Sequence, residues 1–215
     1  MTFRELARRT ADRYSATSRL ARNFALGKLT TDPVYESALE LLPDRGTLLD
    51  IGCGQGLMLA LAIESGKHFD RLVGIETRPR MTSLARAAVG SGAEIRQADV
   101  RTMKLERFSV VLMFDVLQAM APQEQESLIE TIARVLEPNG VILIRDGDPS
   151  AGWRFNLVRF GNRFKSFLNG TWRPRLHYLS RDQWLATFQR MGLSAEVCPT
   201  PTKNPLGNTL YKVRK

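Results

Sequence analysis

The sequence predicts an α/β fold, a parallel sheet wrapped by helices, and three observations carry that expectation. From about Asp44 onward, short apolar runs alternate with stretches of helical composition at the spacing of strand–helix–strand units. The run "FSVVLMFD" is apolar on both faces, as a strand inside a parallel sheet must be. The stretch "LLDIGCGQG", Leu48 to Gly56, puts three glycines where such a strand passes into its helix.

The elements follow in order. A first helix carries Phe3, Leu6, Ala7, Thr10 and Tyr14 on one stripe, with Arg4, Arg8, Arg9 and Arg13 around it. "TLLDIG" is a short strand, and "LMLALAIESG" after the glycines is a helix. "RLVGIE" is the next strand, and "RMTSLARAAVGSG" a helix stopped by Gly90 and Gly92. "EIRQAD" is a weaker strand and "FSVVLMFD" a strong one. In "PQEQESLIETIARVLEPNG", Pro122 suits the first turn, and Leu128, Ile129, Ile132, Ala133 and Leu136 form the apolar stripe of a helix. "GVILIRDGD" is the following strand. "SRDQWLATFQRMG" is a helix with a capping box from Ser180 to Gln183 and a Gly192 stop. "LSAEVCPT" and "NTLYKVRK" then follow with no helix between them, which predicts an antiparallel pair at the sheet edge.

At 215 residues the chain suits one buried core, so a single domain is expected, with four parts. These are an N-terminal helical cap (1–43), a central half built around the glycine turn (44–148), a basic amphipathic insertion or lid (149–179), and a C-terminal helix with its strand pair (180–215). Two cysteines, Cys53 and Cys198, are too few for a disulfide framework and fit a reducing compartment. No apolar run approaches a membrane span and the first residues lack a signal-peptide core, so a cytoplasmic protein is expected. The net charge of +9 is unevenly placed. Residues 1–30 hold seven basic and two acidic side chains and residues 151–175 six and none, whereas residues 31–150 hold twelve and eighteen. Basicity therefore belongs to what meets a partner and not to what builds the sheet.

The pattern around the glycines is D-x-G-x-G-x-G, starting at Asp50, and no G-K-[ST] follows for a nucleotide phosphate. Glu76 ends the second strand, where a carboxylate can accept from two ribose hydroxyls. Asp99 ends the third, placed to accept from an exocyclic amine. In open sheets of this kind ligands bind beyond the carboxyl ends of the strands.

With these residues the sequence resembles the class I S-adenosylmethionine-dependent methyltransferases. "LLDIGCGQG", "LVGIET", "IRQADV", "FSVVLMFDVLQAM" and "LEPNGVILIRDGD" match their five motifs in order across residues 48–148, about half the chain. The resemblance implies a Rossmann-like seven-stranded sheet, mostly parallel, with an antiparallel last strand, and S-adenosylmethionine as cofactor. It implies that Gly52 and Gly54 line the amino-acid part of the cofactor, Glu76 the ribose and Asp99 the adenine, with Asp50, Cys53, Thr77, Val100 and Phe114 completing the set. Asp50 has an alternative role as a structural acid of the glycine loop. A narrower resemblance, of "ARNFALGKLTTDPVYESALELLP" to bacterial methyltransferases of aryl-polyene and related lipid or pigment pathways, implies a lipid-like or polyketide-like acceptor.

Methyl transfer from a sulfonium needs alignment above all, and a base only when the nucleophile arrives protonated. The candidates for chemistry are Asp115, which alternatively caps the next helix, and His177, which alternatively only packs. His68 reads as a solvated turn residue. Gln118 stands where the family often has His, which removes one candidate base. Cys53 has nothing beside it to activate a thiolate, and Cys198 lies in "CP" and not in the Pro-Cys order that cytosine-C5 methyltransferases use. The fifth motif lacks the Asp-Asn pair of metal-dependent relatives, so no metal is expected. "WRFNLVRFGNRFKSFL" puts Trp153, Phe160 and Phe164 on one face, with Arg159, Asn162, Arg163 and Lys165 elsewhere and Phe155 off the stripe. With Tyr178 these aromatics are the candidate substrate contacts. The expected acceptor is a small apolar molecule, acyl, lipid-like or aromatic, free, carrier-bound or held at a membrane, and most simply methylated on oxygen. Two alternatives stand beside it. One is an RNA or protein methyltransferase using the basic flanks, which lack aromatics interleaved to stack on bases. The other is a non-catalytic cofactor-binding subunit.

Overall fold

A computed structural model describes residues 1–152, 155, 176–199 and 207–215. The chain forms two compact units, Met1–Leu112 and Met113–Lys215. One seven-stranded sheet has the order β3-β2-β1-β4-β5-β7-β6.

In the first unit three helices, α1 (Phe3–Asp12), α2 (Arg19–Thr31) and α3 (Val34–Leu41), precede the sheet. A capping box between Thr2 and Glu5 starts α1, and Ser18 caps α2. β1 (Arg45–Ile51) then runs parallel to β2 (His68–Glu76), with Leu49 opposite Val73 and Ile51 opposite Ile75, and β2 runs parallel to β3 (Glu94–Gln97). Between β1 and β2 lies α4 (Leu57–Glu64), whose residues 57–62 are all buried. A helix apolar all round needs cover beyond the sheet. α1 supplies it by packing on α4, with Leu6, Ala7, Thr10 and Ala11 buried, and α3 packs there too. Arg13 closes the corner, donating to the carbonyls of Ala88 and Val89 at the end of α5 (Pro79–Val89) and pairing with Glu64 at 2.7 Å. The expected stripe on the first helix is therefore buried at Leu6, Ala7, Thr10 and Tyr14, while Phe3 stays half-exposed.

β4 (Phe108–Phe114) runs across the boundary, and the second unit continues with α6 (Pro122–Val135), β5 (Leu136–Gly147), α7 (Arg181–Arg190), β6 (Ser194–Cys198) and β7 (Asn208–Arg214). The stripe of Leu128, Ile129, Ile132, Ala133 and Leu136 is buried as its spacing predicts. The capping box from Ser180 to Gln183 starts α7. β7 is antiparallel to both β5 and β6, with Ile144 opposite Tyr211 and Val197 opposite the same Tyr211. The expected edge pair is real, and its order is the less obvious one: the later strand lies inside and β6 outside. Stacked Trp184 and Phe188, with Tyr211 edge-on, fix α7 against these strands. His68 opens β2 and is exposed there, its amide bonded to the Asp44 carbonyl, so it belongs to a strand and not to the turn before it.

Candidate active site

The carboxyl ends of β1, β2 and β3 build one group of candidates from short-range geometry. The Gly52 and Cys53 amides both donate to the Ile75 carbonyl, which folds the glycine turn over β2. Gly52, Gly54 and Gly56 all have positive φ, at 69°, 58° and 76°, so the alternating glycines answer a run of left-handed turns. At Gly56 a side chain would also meet Ala85 of α5 at 3.2 Å. At Gly54 a Cβ would meet nothing nearer than Arg78 at 3.9 Å and the Gly52 carbonyl at 4.0 Å, so the backbone there is open to close approach.

The turn delivers the Gly54 amide to the Glu76 carboxylate at 3.0 Å. Glu76 is buried, and its other donors come from the next residues. The Arg78 amide and Nε reach Oε1 at 2.9 and 3.0 Å, and Arg78 Nη2 reaches Oε2 at 2.9 Å. The Thr77 hydroxyl lies 3.4 Å from Oε1. Burial alone would raise the Glu76 pKa, but the bonds and charge of Arg78 with the Gly54 amide outweigh it and hold the carboxyl below the usual range. Asp99 repeats the design. It follows Ala98, whose amide bonds the Glu76 carbonyl, and Arg101 two residues on grips both its oxygens, at 3.0 and 2.6 Å. The Arg101 guanidinium and amide hold Asp99 below its ordinary value. Val100, buried, starts the short 3-10 turn that Asp99 caps.

Asp50 and Cys53 are buried close by. Burial, with the charge of Glu76 behind it, pushes Asp50 up to about 8. Burial also raises the Cys53 thiol well above its ordinary value, which disfavours the thiolate a nucleophile needs. Cys198, buried in β6, is raised by the same cause.

Sequence reasoning missed three members of this group. Arg78 and Arg101 each sit two residues after a predicted acid, a spacing that was readable. Tyr14, placed on the first helix's stripe as packing, is fully buried, and its hydroxyl donates 2.9 Å to the Gln55 carbonyl in the glycine loop.

The second unit gathers the other candidates. Asp115 follows β4 with φ 58°, a left-handed conformation that Asp tolerates better than most residues. It caps no helix. Its amide donates to the Arg145 carbonyl, and its carboxylate accepts from buried Arg145 at 2.9 Å. Phe114 before it is half-buried. The His177 amide donates to the Gln118 carbonyl at 2.8 Å, and the His177 carbonyl accepts from buried Gln125 at 3.1 Å, so backbone bonds hold His177 against the loop after β4. The Tyr178 ring covers Gly147, where a Cβ would sit 3.0 Å from it. Phe155 meets Tyr178 edge-on at 4.9 Å and is buried, although it falls off the predicted stripe. Trp153, Phe160 and Phe164, with Arg159 and Arg163, lie outside the described residues. Among the described residues no group of three His, Cys, Asp or Glu side chains could hold a metal ion.

A family model described as a methyltransferase domain matches residues 22–196. The chain belongs to the class I S-adenosylmethionine-dependent methyltransferases. It is 30% identical over 127 residues to a carboxy-S-adenosyl-L-methionine synthase of Wolinella succinogenes, covering 53% of each chain. It therefore spans about half the length of that relative. It is 31% identical over 153 residues to a phosphatidylethanolamine N-methyltransferase of Cereibacter sphaeroides, covering 65% of this chain and 72% of that one. The fold matches the DhpI–SAH complex with a TM-score of 0.66 at 17% identity, over 99% of this chain and 96% of the other. It also matches the pyocyanin biosynthetic protein PhzM with a TM-score of 0.66 at 13% identity, over 90% and 58%. The residues of this family member fit the family's cofactor. An open glycine backbone faces a carboxylate at the end of β2, and a second carboxylate stands one strand further out.

Proposed function

We propose that the chain transfers a methyl group from S-adenosylmethionine to a small apolar acceptor, acyl, lipid-like or aromatic, most simply at oxygen. The observation that carries the cofactor half is the Gly54 amide on Glu76, a glycine turn and a buried carboxylate joined where two parallel strands end. The cofactor supplies a methyl group already activated on a sulfonium. What remains for the protein is to align the acceptor with it and exclude water. Gly52 and Gly54 offer backbone to the amino-acid part, Glu76 accepts from the ribose and Asp99 from the adenine amine. Asp50, Cys53, Thr77, Val100 and Phe114 shape the surroundings. Binding the ribose asks Glu76 to exchange bonds now made by Arg78 for bonds from two hydroxyls. Asp115 and His177 are the candidates to orient the acceptor or take its proton, and Trp153, Phe160, Phe164 and Tyr178 its apolar contacts. The lipid-like character is supported by the similarity to a phosphatidylethanolamine N-methyltransferase.

Calorimetry with S-adenosylhomocysteine tests the cofactor site. Glu76→Ala is expected to weaken binding about tenfold or more, a loss of roughly 1–3 kcal/mol from hydroxyls left poorly paired. Unchanged affinity in that variant removes Glu76 from the site. Incubation of candidate acceptors with labelled cofactor, read by mass spectrometry, tests the reaction. Label in RNA or protein instead of small molecules promotes the reading that uses the basic flanks. A carboxylated cofactor as product promotes the chemistry named for the Wolinella relative.

A further inference from the structure

The acceptor positions of the Glu76 carboxylate can be counted. An ionised carboxylate offers about four, two on each oxygen. At Oε1 they are taken by the Arg78 amide at 2.9 Å and Arg78 Nε at 3.0 Å, with the Thr77 hydroxyl further off at 3.4 Å. At Oε2 they are taken by the Gly54 amide at 3.0 Å and Arg78 Nη2 at 2.9 Å. The chain's own donors therefore fill the group. A ribose that brings two hydroxyls finds no place on it until two donors leave.

Which two can leave follows from what holds each. The Gly54 amide belongs to the left-handed turn that the Ile75 carbonyl fixes through Gly52 and Cys53. The Arg78 amide is fixed by its own backbone. Pro79 follows it and starts α5, and the Arg78 carbonyl accepts from the Thr82 amide and hydroxyl at 3.0 and 3.1 Å. The guanidinium has no such restraint. Among the described residues every hydrogen bond of the Arg78 side chain goes to Glu76. That side chain is 38% exposed and the Glu76 side chain 4%, so the cation can turn into water and the carboxylate cannot. Its two bonds match in number those the ribose would make. Arg101 forks on Asp99 in the same way, but both partners there are partly exposed, and water already competes for the pair.

We infer that Arg78 is a built-in competitor of the ribose: its guanidinium holds the two acceptor positions of Glu76 that the ribose hydroxyls take, so the cofactor binds by displacing it. This displacement presupposes the cofactor role proposed for Glu76, and adds the residue that sets how tightly the ribose is held. A forked, charge-assisted pair is at least as strong as two hydroxyl bonds, so the exchange yields little net affinity.

Calorimetry of the full chain with S-adenosylhomocysteine tests this, at about pH 8 to keep Glu76 ionised once its cation is gone. Arg78→Met keeps the apolar stem and removes the donors, and is expected to bind about tenfold tighter than wild type. Arg78→Lys keeps the charge but cannot fork on both oxygens, and is expected to bind about threefold tighter. Without ligand the thermal midpoint of Arg78→Met falls, because a buried carboxylate has lost its partner, and saturating S-adenosylhomocysteine raises it by more than in wild type. With the 2′-deoxy analogue the loss of affinity grows from about threefold in wild type to about tenfold or more in Arg78→Met. A purely structural pair would lower the midpoint and leave affinity and hydroxyl dependence unmoved. Wild-type or weaker binding by both Arg78 variants, with Glu76→Ala still weakening it, overturns the competitor and leaves the cofactor reading standing. Wild-type binding by Glu76→Ala overturns both.

Discussion

Tyr14 shows how much of this molecule depends on single polar atoms placed inside apolar surroundings. Its hydroxyl is the donor to the Gln55 carbonyl, and its ring is fully buried beside the glycine turn. Tyr14→Phe keeps the packing and removes that bond, so a cost of about 1–3 kcal/mol in unfolding free energy is expected, with weaker cofactor binding because the turn loses an anchor. Denaturant titration and calorimetry read the two effects. A variant equal to wild type in both would make the bond incidental. Asp50 and Asp146 give a second prediction at this scale. Asp146 is buried, accepts from the Gly147 amide and Trp184 Nε1, and is pushed up to about 8 by burial, with the charge of Asp115 adding to it. Asp50 also stands at about 8. Both therefore keep a proton in the folded state that the unfolded chain releases near pH 4. Stability from the neutral form is full below that value and is lost as pH rises toward 8. Carboxylates held low, Glu76 and Asp99 among them, lose their contribution only at more acid pH, outside this window. Thermal midpoints should fall from pH 5 to pH 8, and Asp50→Asn or Asp146→Asn should flatten the slope; a midpoint that climbs across the window contradicts both assignments.

Among the elements, α4 depends on α1 for cover. "LMLALAI" reads as a buried helix from composition alone, but nothing in that string says what buries its outer side. The answer is the helix some fifty residues earlier, whose apolar stripe packs on α4. Leu6→Ala is therefore expected to cost about 2–5 kcal/mol, the scale of a core truncation, and urea denaturation can measure it. A cost near zero would show that α4 does not depend on this cover. The same contrast runs through the fold and site. Strands, helices and caps were legible because periodicity and capping are local signals. Gly52, Gly54, Glu76 and Asp99 were legible because motif and strand end coincide. Arg78 and Arg101 were missed because a surface arginine and an arginine folded back on a neighbouring acid look the same in sequence. Tyr14 was missed because its hydrogen bond spans 41 residues. Phe155, off the stripe in sequence, finds its ring partner in Tyr178, a contact 23 residues along the chain that no helical period encodes.

For the whole molecule, the separation of charge from fold has kinetic consequences. Strands β1 to β5 fall in the acidic middle of the sequence, whereas residues 1–30 are basic and form helices, so an acidic or membrane-held acceptor should be attracted by charges other than the cofactor residues. Arg159→Glu with Arg163→Glu should raise the apparent KM for the natural acceptor, more at low salt than high, and leave cofactor affinity unchanged. Steady-state kinetics across a salt series tests this, and acceptor kinetics equal to wild type would leave those charges merely solvated. The strand order also governs synthesis. β6 is made before β7 yet touches only β7 in the sheet, and β5 waits for the same partner across sixty residues of chain. On the ribosome β5 must therefore hold a bare hydrogen-bonding edge, and β6 must remain unplaced, until residues 208–214 have emerged. That interval is when a neighbouring nascent chain could pair with β5 instead. Translation speed and chaperone supply while residues 148–214 are being made should thus set the yield of folded chain more than its final stability does.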